Sequence, residues 1–590
     1  MTDLPWPVVA RRPRLRAALP YVGVLAAAML LPLLHEDYWT VIATRAAIYW
    51  VLVSGLNLVV GFAGQLAIGY VALLTLGAYT SSVLVEKLGV HPALALLAAA
   101  VVGAVAGVFV GLPALRLRTF YFAMTTLGFA TIVTQVALAW TSVTGGGIGV
   151  PGPTLPPPFD GVVGFYLLCV GIAALCTWIT LNVAASRFGR GLVALRDAEV
   201  AAEACGVVKS RLLLSVFLVS GALAGVAGAL FASLQSYITP DAFTFDLSVL
   251  FFIAILIGGR GSVLGPLLAT MILTALPEFA APLVAWSTFL YAALLLAIVL
   301  VVPGGIAELL DIRSRRALPV GRAIVPRPGL VPGLLGRVQD GILELQGVAL
   351  SFGAVKAIAG LDLVLHPGEV HGLIGPNGSG KTTTLNAICG FARPQEGRVL
   401  VGGQALPMGV PALRAAAGIG RTFQTPRIVG EASVLENVMV GGSILGRATL
   451  AETLFALPRH ATDEAGLRFR ATEALHVVGL ETLAEVRADR LQHSELRFVE
   501  IARALMARPR FLLLDEPAAG LSPDEIDKLG GLITAVARAG TGVLLVEHHA
   551  DLIFAICDRV TVLNLGRTLA TGTPSEVRAH REVVDAYLGR

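Results

Sequence analysis

The sequence predicts a chain in two parts: an N-terminal polytopic α-helical membrane domain of eight to ten spans, then a soluble α/β domain built around a phosphate-binding loop. Three observations carry this. Between Ala17 and Val302 apolar runs of about 20 residues follow one another, each long enough to cross a hydrocarbon core roughly 30 Å thick. Only 14% of the 590 residues are charged and 55% are hydrophobic, against about 25% charged in soluble domains. From about Ile342 the chain reads as soluble α/β, and "VHGLIGPNGSGKTTTLNAI" (Val370 to Ile388) is a strand, a glycine-rich loop and a helix.

The first span follows "RRPRLR" (Arg11 to Arg16), which by the positive-inside rule places the N-terminus in the cytoplasm. A cleaved secretory signal is the competing reading, but "LLPLLHEDYW" offers no small-residue cleavage site and further spans follow. The net charge of +4, with arginines scattered or flanking apolar runs, gives no reason to expect nucleic acid. Five cysteines (Cys169, Cys176, Cys205, Cys389, Cys557) have neither metal-ligand nor paired spacing and read as reduced, buried thiols.

Spans are expected near 18 to 34, 39 to 61, 64 to 84, 92 to 114, 119 to 140 and 162 to 184. "TSVTGGGIGVPGPTLPPPFD" (Thr141 to Asp160) is too rich in glycine and proline to cross as a helix and is an external loop by parity. Six crossings return the chain to the cytoplasm at Ser186 to Arg211. There, apolar residues at helical spacing, with Arg190, Arg196, Asp197, Glu199 and Glu203 between them, predict short amphipathic helices. We read them as a docking lever rather than a solvated loop, a rigid element able to pass motion between the soluble domain and the membrane helices.

Further apolar runs lie near 212 to 234, 246 to 275 and 283 to 302. The soluble domain that follows is cytoplasmic too, so the number of crossings is even. "IGGRGSVLGP" (Ile257 to Pro266) is the expected break, dividing the middle run into two pieces around a turn. A basic, proline-rich stretch from Val302 to Gly333 reads as a tether. The expected domains are 1–303 in the membrane, a linker at 304–341 and the ATP-binding domain at 342–590.

Gly375, Gly380, Lys381 and Thr382 satisfy G-x-x-x-x-G-K-[ST]. The loop Gly375, Pro376, Asn377, Gly378, Ser379, Gly380, Lys381, Thr382 and Thr383 is therefore the expected ATP cradle, its backbone N–H groups and helix N-terminus facing phosphate. Lys381 would meet the β- and γ-phosphates and Thr382 would ligate Mg²⁺. "RFLLLDEP" (Arg510 to Pro517) ends a buried strand in Asp515, placed to hold Mg²⁺, and Glu516, placed to take a proton from attacking water. "GVLLVEHH" (Gly542 to His549) delivers His548 to a strand's carboxyl end, with His549 beside it.

The order of "GPNGSGKTT", "RTFQTPRI", "IARAL", "LLLDEPAAGLSP" and "VEHH" resembles an ATP-binding-cassette (ABC) ATPase over residues 342 to 590. "SFGAVKAI", "GIGRTFQTPRI…SVLENVMVG" and "EVVDAYLG" narrow the resemblance to the ATPases of branched-chain amino acid importers, within the hydrophobic amino acid uptake family. The membrane half separately resembles a permease of the same importers, through "GLNLVVGFAGQLAIGYVALLTLGAY", "GLPALRLRTFYFAMTTLGF", "TGGGIG" and "FASLQSYITPDAFTFDLSVLFFIAILIGGRGSVLGPLLA". The resemblance implies an ATP-driven importer in the bacterial inner membrane with its N-terminus and ATPase cytoplasmic. Its implied partners are a second ATPase subunit, a second permease subunit and a periplasmic or external substrate-binding protein. It also implies that Phe352 stacks on adenine, that Gln424 touches Mg²⁺ and the attacking water, that His548 holds the γ-phosphate, and that the 186 to 211 stretch sits in a groove of the ATPase. Urea, short amides and aromatic acids are alternative substrates of the same family. An ABC exporter half-transporter shares the domain order but uses fewer, longer helices reaching into the cytoplasm, and a membrane-anchored regulatory ATPase needs no such set of spans.

Registered on "EIARAL" (Glu500 to Leu505), the residues Leu491, Gln492, His493, Ser494 and Glu495 stand where the family carries its L-S-x-G-Q signature. The serine that would donate to a γ-phosphate is Gln492, the close-approach glycine is Ser494 and the glutamine is Glu495. An added Cβ, and a carboxylate near phosphate, are expected to weaken that contact. ATPases of this family pair head to tail, each signature completing its partner's site. The expectation is therefore an asymmetric pair in which the site on Lys381, Asp515, Glu516 and His548 turns over and the opposite one does so poorly.

Overall fold

In the computed structural model the described residues are 15–34, 37–117, 119–279, isolated positions between 286 and 300, 304–310, 324–336 and 341–583. The first half is a bundle of α1 (Leu15–Leu30), α2 (Asp37–Asn57), α3 (Val71–Ser82), α4 (Pro92–Ala114), α5 (Thr119–Ala139), a single turn α6 (Thr141–Thr144), α7 (Val162–Ala184), α8 (Arg187–Ala204), α9 (Lys209–Leu234), α10 (Phe245–Gly258) and α11 (Leu264–Phe279). The long α9 runs against α2, α3 and α4. Glycine sets how near they come: a Cβ on Gly225 would lie 2.1 Å from the Ala99 carbonyl oxygen, and one on Gly103 2.3 Å from that of Gly221. Lipid tails are as apolar as leucine, so helices in a membrane associate through such close backbone packing rather than through hydrophobic burial.

Among the described residues, six helices are long and apolar enough to cross a membrane, namely α4, α5, α7, α9, α2 with its π-helical continuation Leu58–Phe62, and the segment Pro240–Gly258 that contains α10. Helices α1 and α11 are shorter apolar helices. The expected run at 283–302, the basic residues Arg11 to Arg14 and the terminal 584–590 lie wholly or mostly outside the described residues.

One expectation changes and three hold in detail. The span placed at 64 to 84 begins at Val71, because residues 64–69 are non-helical: Gly64 takes a φ of +69° and the N–H groups of Ile68 and Gly69 donate to Thr126 Oγ1 at 3.2 and 3.3 Å. The run at 246 to 275 breaks where its glycines predict, with α10 ending at Gly258 and α11 starting at Leu264. The glycine- and proline-rich 141 to 160 stretch holds only α6 and the strand β1 (Val150–Pro151), which pairs with β2 (Tyr237–Ile238). Helix α8 is two helices joined at a kink at Ala198, as its amphipathic pattern implied.

The second half has two sheets. Strands β3 (Leu343–Phe352), β4 (Val355–Leu365), β6 (Glu396–Val401) and β7 (Gln404–Ala405) form an antiparallel sheet in the order β4-β3-β6-β7. The other, in the order β12-β11-β5-β10-β9-β8, joins β5 (Val370–Ile374), β8 (Ile419–Arg421), β9 (Phe511–Asp515), β10 (Gly542–Val546), β11 (Arg559–Asn564) and β12 (Arg567–Gly572). Every residue of β5, β9 and β10 is buried, the pattern of parallel strands covered on both faces. Val546 stands opposite both Leu373 and Asp515, so the carboxyl ends of these three strands are level.

Between the halves, α12 (Gly305–Leu310) packs at the α10–α11 turn, and residues 311–323 and 337–340 lie outside the described residues. The rest of the expected tether is not slack. Ile324 and, on α13 (Val331–Leu335), Val331, Leu334 and Leu335 are buried in the core of the second half, and the Arg327 N–H donates to the Val477 carbonyl at 2.8 Å. Its apolar residues, read among prolines and arginines, make it a strap.

Helix packing by backbone contact gives a direct test in the full chain, read by calorimetry in detergent. Gly225→Ala is expected to destabilise by about 1–3 kcal/mol through overpacking. Gly171→Ala on α7, where a Cβ meets nothing within 4 Å, is expected to be neutral or stabilising by up to about 1 kcal/mol.

Candidate nucleotide site

Four loops meet at the carboxyl edge of the parallel sheet, where α/β folds place their ligands. After β5 the chain curls through Gly378 (φ +80°) and Gly380 (φ +105°), a left-handed backbone that favours glycine, and then opens α14 (Lys381–Cys389). Lys381 is buried, and its ammonium donates to the carbonyls of Gly375 at 2.8 Å and Pro376 at 3.0 Å. Burial pushes its pKa below the ordinary lysine value, with Glu516 and Asp515 acting in the opposite direction. Asn377, Gly378 and Thr382 are exposed at the mouth of the loop, Thr383 is half-buried, and Ser379 is buried with no hydrogen-bond partner for its hydroxyl among the described residues.

Asp515 ends β9 at 2% exposure. Arg421 donates to its Oδ2 at 3.1 Å and reaches Asn386 Oδ1 with its other terminal nitrogen at 2.6 Å. Burial pushes the Asp515 carboxyl up, and Arg421 opposes this. Its Oδ1 is buried without any partner among the described residues. An orphaned carboxylate oxygen beside a phosphate loop fits a hard, oxygen-seeking divalent cation. Thr382 and Gln424 offer the hydroxyl and amide oxygens that complete the expected Mg²⁺ set.

The next residue, Glu516, holds a φ of +48°, sparsely populated for a non-glycine residue, and is fixed by its own N–H donating to the Val546 carbonyl at 2.8 Å. Its Oε1 lies 2.9 Å from His548 Nε2, and its Oε2 accepts from Gln424 Nε2 at 2.9 Å. The three candidate catalytic residues, 32 and 92 positions apart in sequence, are thus in direct contact. It is His548 that reaches the carboxylate. Phe352, at the end of β3, presents a ring that is 59% exposed.

Sequence reasoning missed the residues that hold this set in place. Glu547, 1% exposed, accepts the N–H of Ala518 at 2.6 Å and that of His548 at 3.0 Å, tying the end of β10 to the turn after Glu516. Glu500, buried on α15 (His493–Met506), accepts the N–H groups of Phe423 and Arg427, both at 3.3 Å, and so grips the loop that carries Gln424. The signal for each was a charged residue inside an apolar run, which one sequence alone does not tell from a solvated face.

The signature stretch corrects one expectation. Glu495 is 2% exposed, and its carboxylate accepts the Gln492 N–H at 2.7 Å, so it caps the start of α15 instead of facing phosphate. Asp or Glu at this position gains from the positive end of the helix. Leu491 is half-buried, Gln492 is exposed, His493 lies near Gly520, and Ser494 bonds to Glu525.

The site is also wired to the membrane half. Phe423, beside Gln424, is buried with Ala198 and Ala201 of α8. The Arg187 guanidinium donates to the carbonyls of Ser443 at 3.3 Å, Ala448 at 2.7 Å and Gly446. Glu464 accepts the Arg187 N–H at 2.7 Å and pairs with Arg190 at 2.8 Å.

Residues 39–302 match the family described as the branched-chain amino acid transport system permease component. Residues 358–519 match the ABC transporter family, and 567–590 match the branched-chain amino acid ATP-binding cassette transporter family. BraF of Pseudomonas aeruginosa, a high-affinity branched-chain amino acid transport ATP-binding protein, is 38% identical over 250 residues, 42% of this chain and 98% of its own length. LivG of Escherichia coli K12, of the same description, gives the same identity and coverage. A solved nucleotide-free ATP-binding cassette from an ABC transporter is 31% identical, covering 42% of this chain and 100% of its own, with a TM-score of 0.37.

Glu495→Ala is expected to remove the helix cap and destabilise the chain by about 1 kcal/mol. A lowered calorimetric transition checks this, and an unchanged one contradicts the capping role.

Proposed function

The chain belongs to the ABC importers of branched-chain amino acids, and from that premise we propose that it is a permease and ATPase in one polypeptide, importing leucine, isoleucine and valine by hydrolysing ATP. The carrying observation is that its two halves match the permease and the ATPase of one transport system. The permease match separates it from an exporter. The relatives named above favour branched-chain amino acids over urea, short amides and aromatic acids. By the pattern of the family it pairs with a second permease and a second ATPase in a bacterial inner membrane, and takes its load from a periplasmic or external substrate-binding protein.

Geometry supports an inward-facing ATPase. Helix α8, the 64–69 stretch and the α10–α11 turn gather at one end of the bundle, joined by Arg196 to Gly61 and by Asn57 Nδ2 to the Ser262 carbonyl at 2.7 Å. The β1–β2 pair and the Lys87 contacts to Ser142 and Val143 link segments at the other ends of those helices. With α1, α3, α11 and the run at 283–302 counted beside the six long spans, the crossings come to ten, an even number that returns the chain to the side of its basic N-terminus. Domain limits of 1–303, 304–341 and 342–590 accord with this, with 324–336 strapped to the ATPase.

In the ATP site, residues Gly375 to Thr383 hold the phosphates, Phe352 stacks on adenine, and Thr382, Gln424 and Asp515 hold Mg²⁺. That cation, when bound, neutralises charge on the phosphates. Glu516 takes the proton of the attacking water. Gln424 and His548 fix the Glu516 carboxylate from both sides, and His548 also reaches the γ-phosphate. Gln492 and Ser494, in place of serine and glycine, make this chain a poor complement to its partner's site, so turnover concentrates on Lys381, Asp515, Glu516 and His548.

Glu516→Gln in the assembled complex is expected to lower ATP hydrolysis by about 10²–10⁴-fold, the range of general-base catalysis, and to stop leucine uptake while nucleotide still binds. Unchanged hydrolysis removes Glu516 from the role. Gln492→Ser with Ser494→Gly is expected to raise turnover at the partner's site alone, read in a complex whose own site carries Glu516→Gln. No gain there contradicts the asymmetry.

A further inference from the structure

We propose that the exposed face of α5 lines the aqueous route by which the amino acid crosses the membrane, an inference that rests on the import function proposed above. Of the six long spans α5 is the least enclosed, with 22% of its central window buried, and α4 comes next with 28%. Their exposed faces differ in chemistry. On α4 the exposed side chains include Leu94, Leu97, Val101, Val105 and Phe109, between 60% and 66% accessible and all apolar, as a lipid-facing ridge requires.

On α5 the exposed side carries Thr125, Gly128, Thr131 and Gln135, spaced three or four residues apart, interleaved with the larger Tyr121, Met124, Ile132 and Val136. At about 1.5 Å per residue the stretch from Thr125 to Gln135 runs about 15 Å through the middle of a helix about 31 Å long. Thr125 and Thr131 return their hydroxyl protons to the Tyr121 and Leu127 carbonyls at 2.9 and 3.1 Å, leaving lone pairs outward. Gln135 makes no hydrogen bond to the protein among the described residues. An unpaired amide in hydrocarbon is strongly unfavourable and, unlike a carboxylate, cannot be relieved by protonation. Gln135 and the stretch of α5 around it therefore meet water or polar groups rather than lipid.

The same stretch suits a neutral zwitterion with an apolar side chain. The amide and hydroxyls can donate to a carboxylate and accept from an ammonium, while Met124 and Ile132, exposed among them, offer apolar contact. No residue of α5 is charged. Uncharged contacts bind weakly enough to release what passes, the condition for conduction.

The test uses the full chain assembled with its partner subunits in lipid vesicles, carrying Thr131→Cys, Gln135→Cys, the α4 control Val105→Cys or the loop control Ile148→Cys, and a membrane-impermeant maleimide as probe. The native cysteines are all buried, so background is low. Thr131→Cys and Gln135→Cys are expected to label at least about tenfold faster than Val105→Cys, because a thiol in apolar surroundings stays protonated. Leucine, with binding protein and ATP, is expected to slow both. If both stay as unreactive as Val105→Cys while Ile148→Cys labels, the face is sealed by lipid or a partner helix and the proposal is overturned. Leucine uptake by the unsubstituted chain is measured alongside. Labelling of both positions without uptake keeps the route and overturns leucine as its cargo, whereas uptake without labelling overturns the route and keeps the import function.

Discussion

The junction at Arg196 is the constraint on which the rest of the molecule depends. This guanidinium on α8 donates to Asp197 beside it at 2.7 and 2.9 Å, to the Gly61 carbonyl in the π-helical end of α2 at 2.7 Å, and to Glu431 of the ATPase half at 3.1 Å. Only 10% of its side chain is exposed. Gly64 makes the approach possible, since a Cβ there would lie 2.5 Å from Arg196 Cγ. Membrane helix, connecting helix and ATPase thus meet at one side chain.

A single junction does not make a lever. Moving a two-state equilibrium from 1:99 to 99:1 takes about 5.5 kcal/mol, and an ion pair whose carboxylate is as exposed as Glu431 is worth about 0–1 kcal/mol, so one tie alone would yield before it transmitted. The α8 interface has three. Arg187 and Arg190 anchor its start on Glu464 and the 443–448 carbonyls, and Ala198 and Ala201 bury Phe423 at its kink. Phe423 adjoins Gln424, which touches Glu516, and Glu500 holds that loop to the helix that begins at the degenerate signature. Rearrangement around the γ-phosphate therefore reaches α8 through packed, hydrogen-bonded groups with little slack.

What the sequence made legible follows from how local each signal is. The phosphate loop, the two carboxylates after "RFLLL" and the histidine after "GVLLVE" each lie at the end of a short apolar run, and level strand ends bring them together without further information. The break at Ile257 to Pro266 and the amphipathic 186 to 211 stretch were legible for the same reason. Residues 64–69 were not, because they are apolar like a span, and what holds them out of helix includes a hydroxyl far off in sequence, Thr126 on α5. The strap at 324–336 was obscured by its prolines. Glu495 was misjudged because an acceptor three residues from an N-terminus finds its own backbone N–H before it meets a distant phosphate. Arg421, Glu500 and Glu547 act across 29 to 94 residues of chain, a separation that no local pattern spans.

The most direct measurement is the ratio of leucine imported to ATP hydrolysed by the assembled complex carrying Arg196→Met, which keeps the aliphatic stem and removes the bonds to Asp197, Gly61 and Glu431. If α8 is the lever, hydrolysis stays within about threefold of the unsubstituted complex while the ratio falls by about tenfold or more, within the 0.5–2 kcal/mol over which coupling residues act. A ratio that does not change, with hydrolysis and uptake falling together or not at all, would contradict the account.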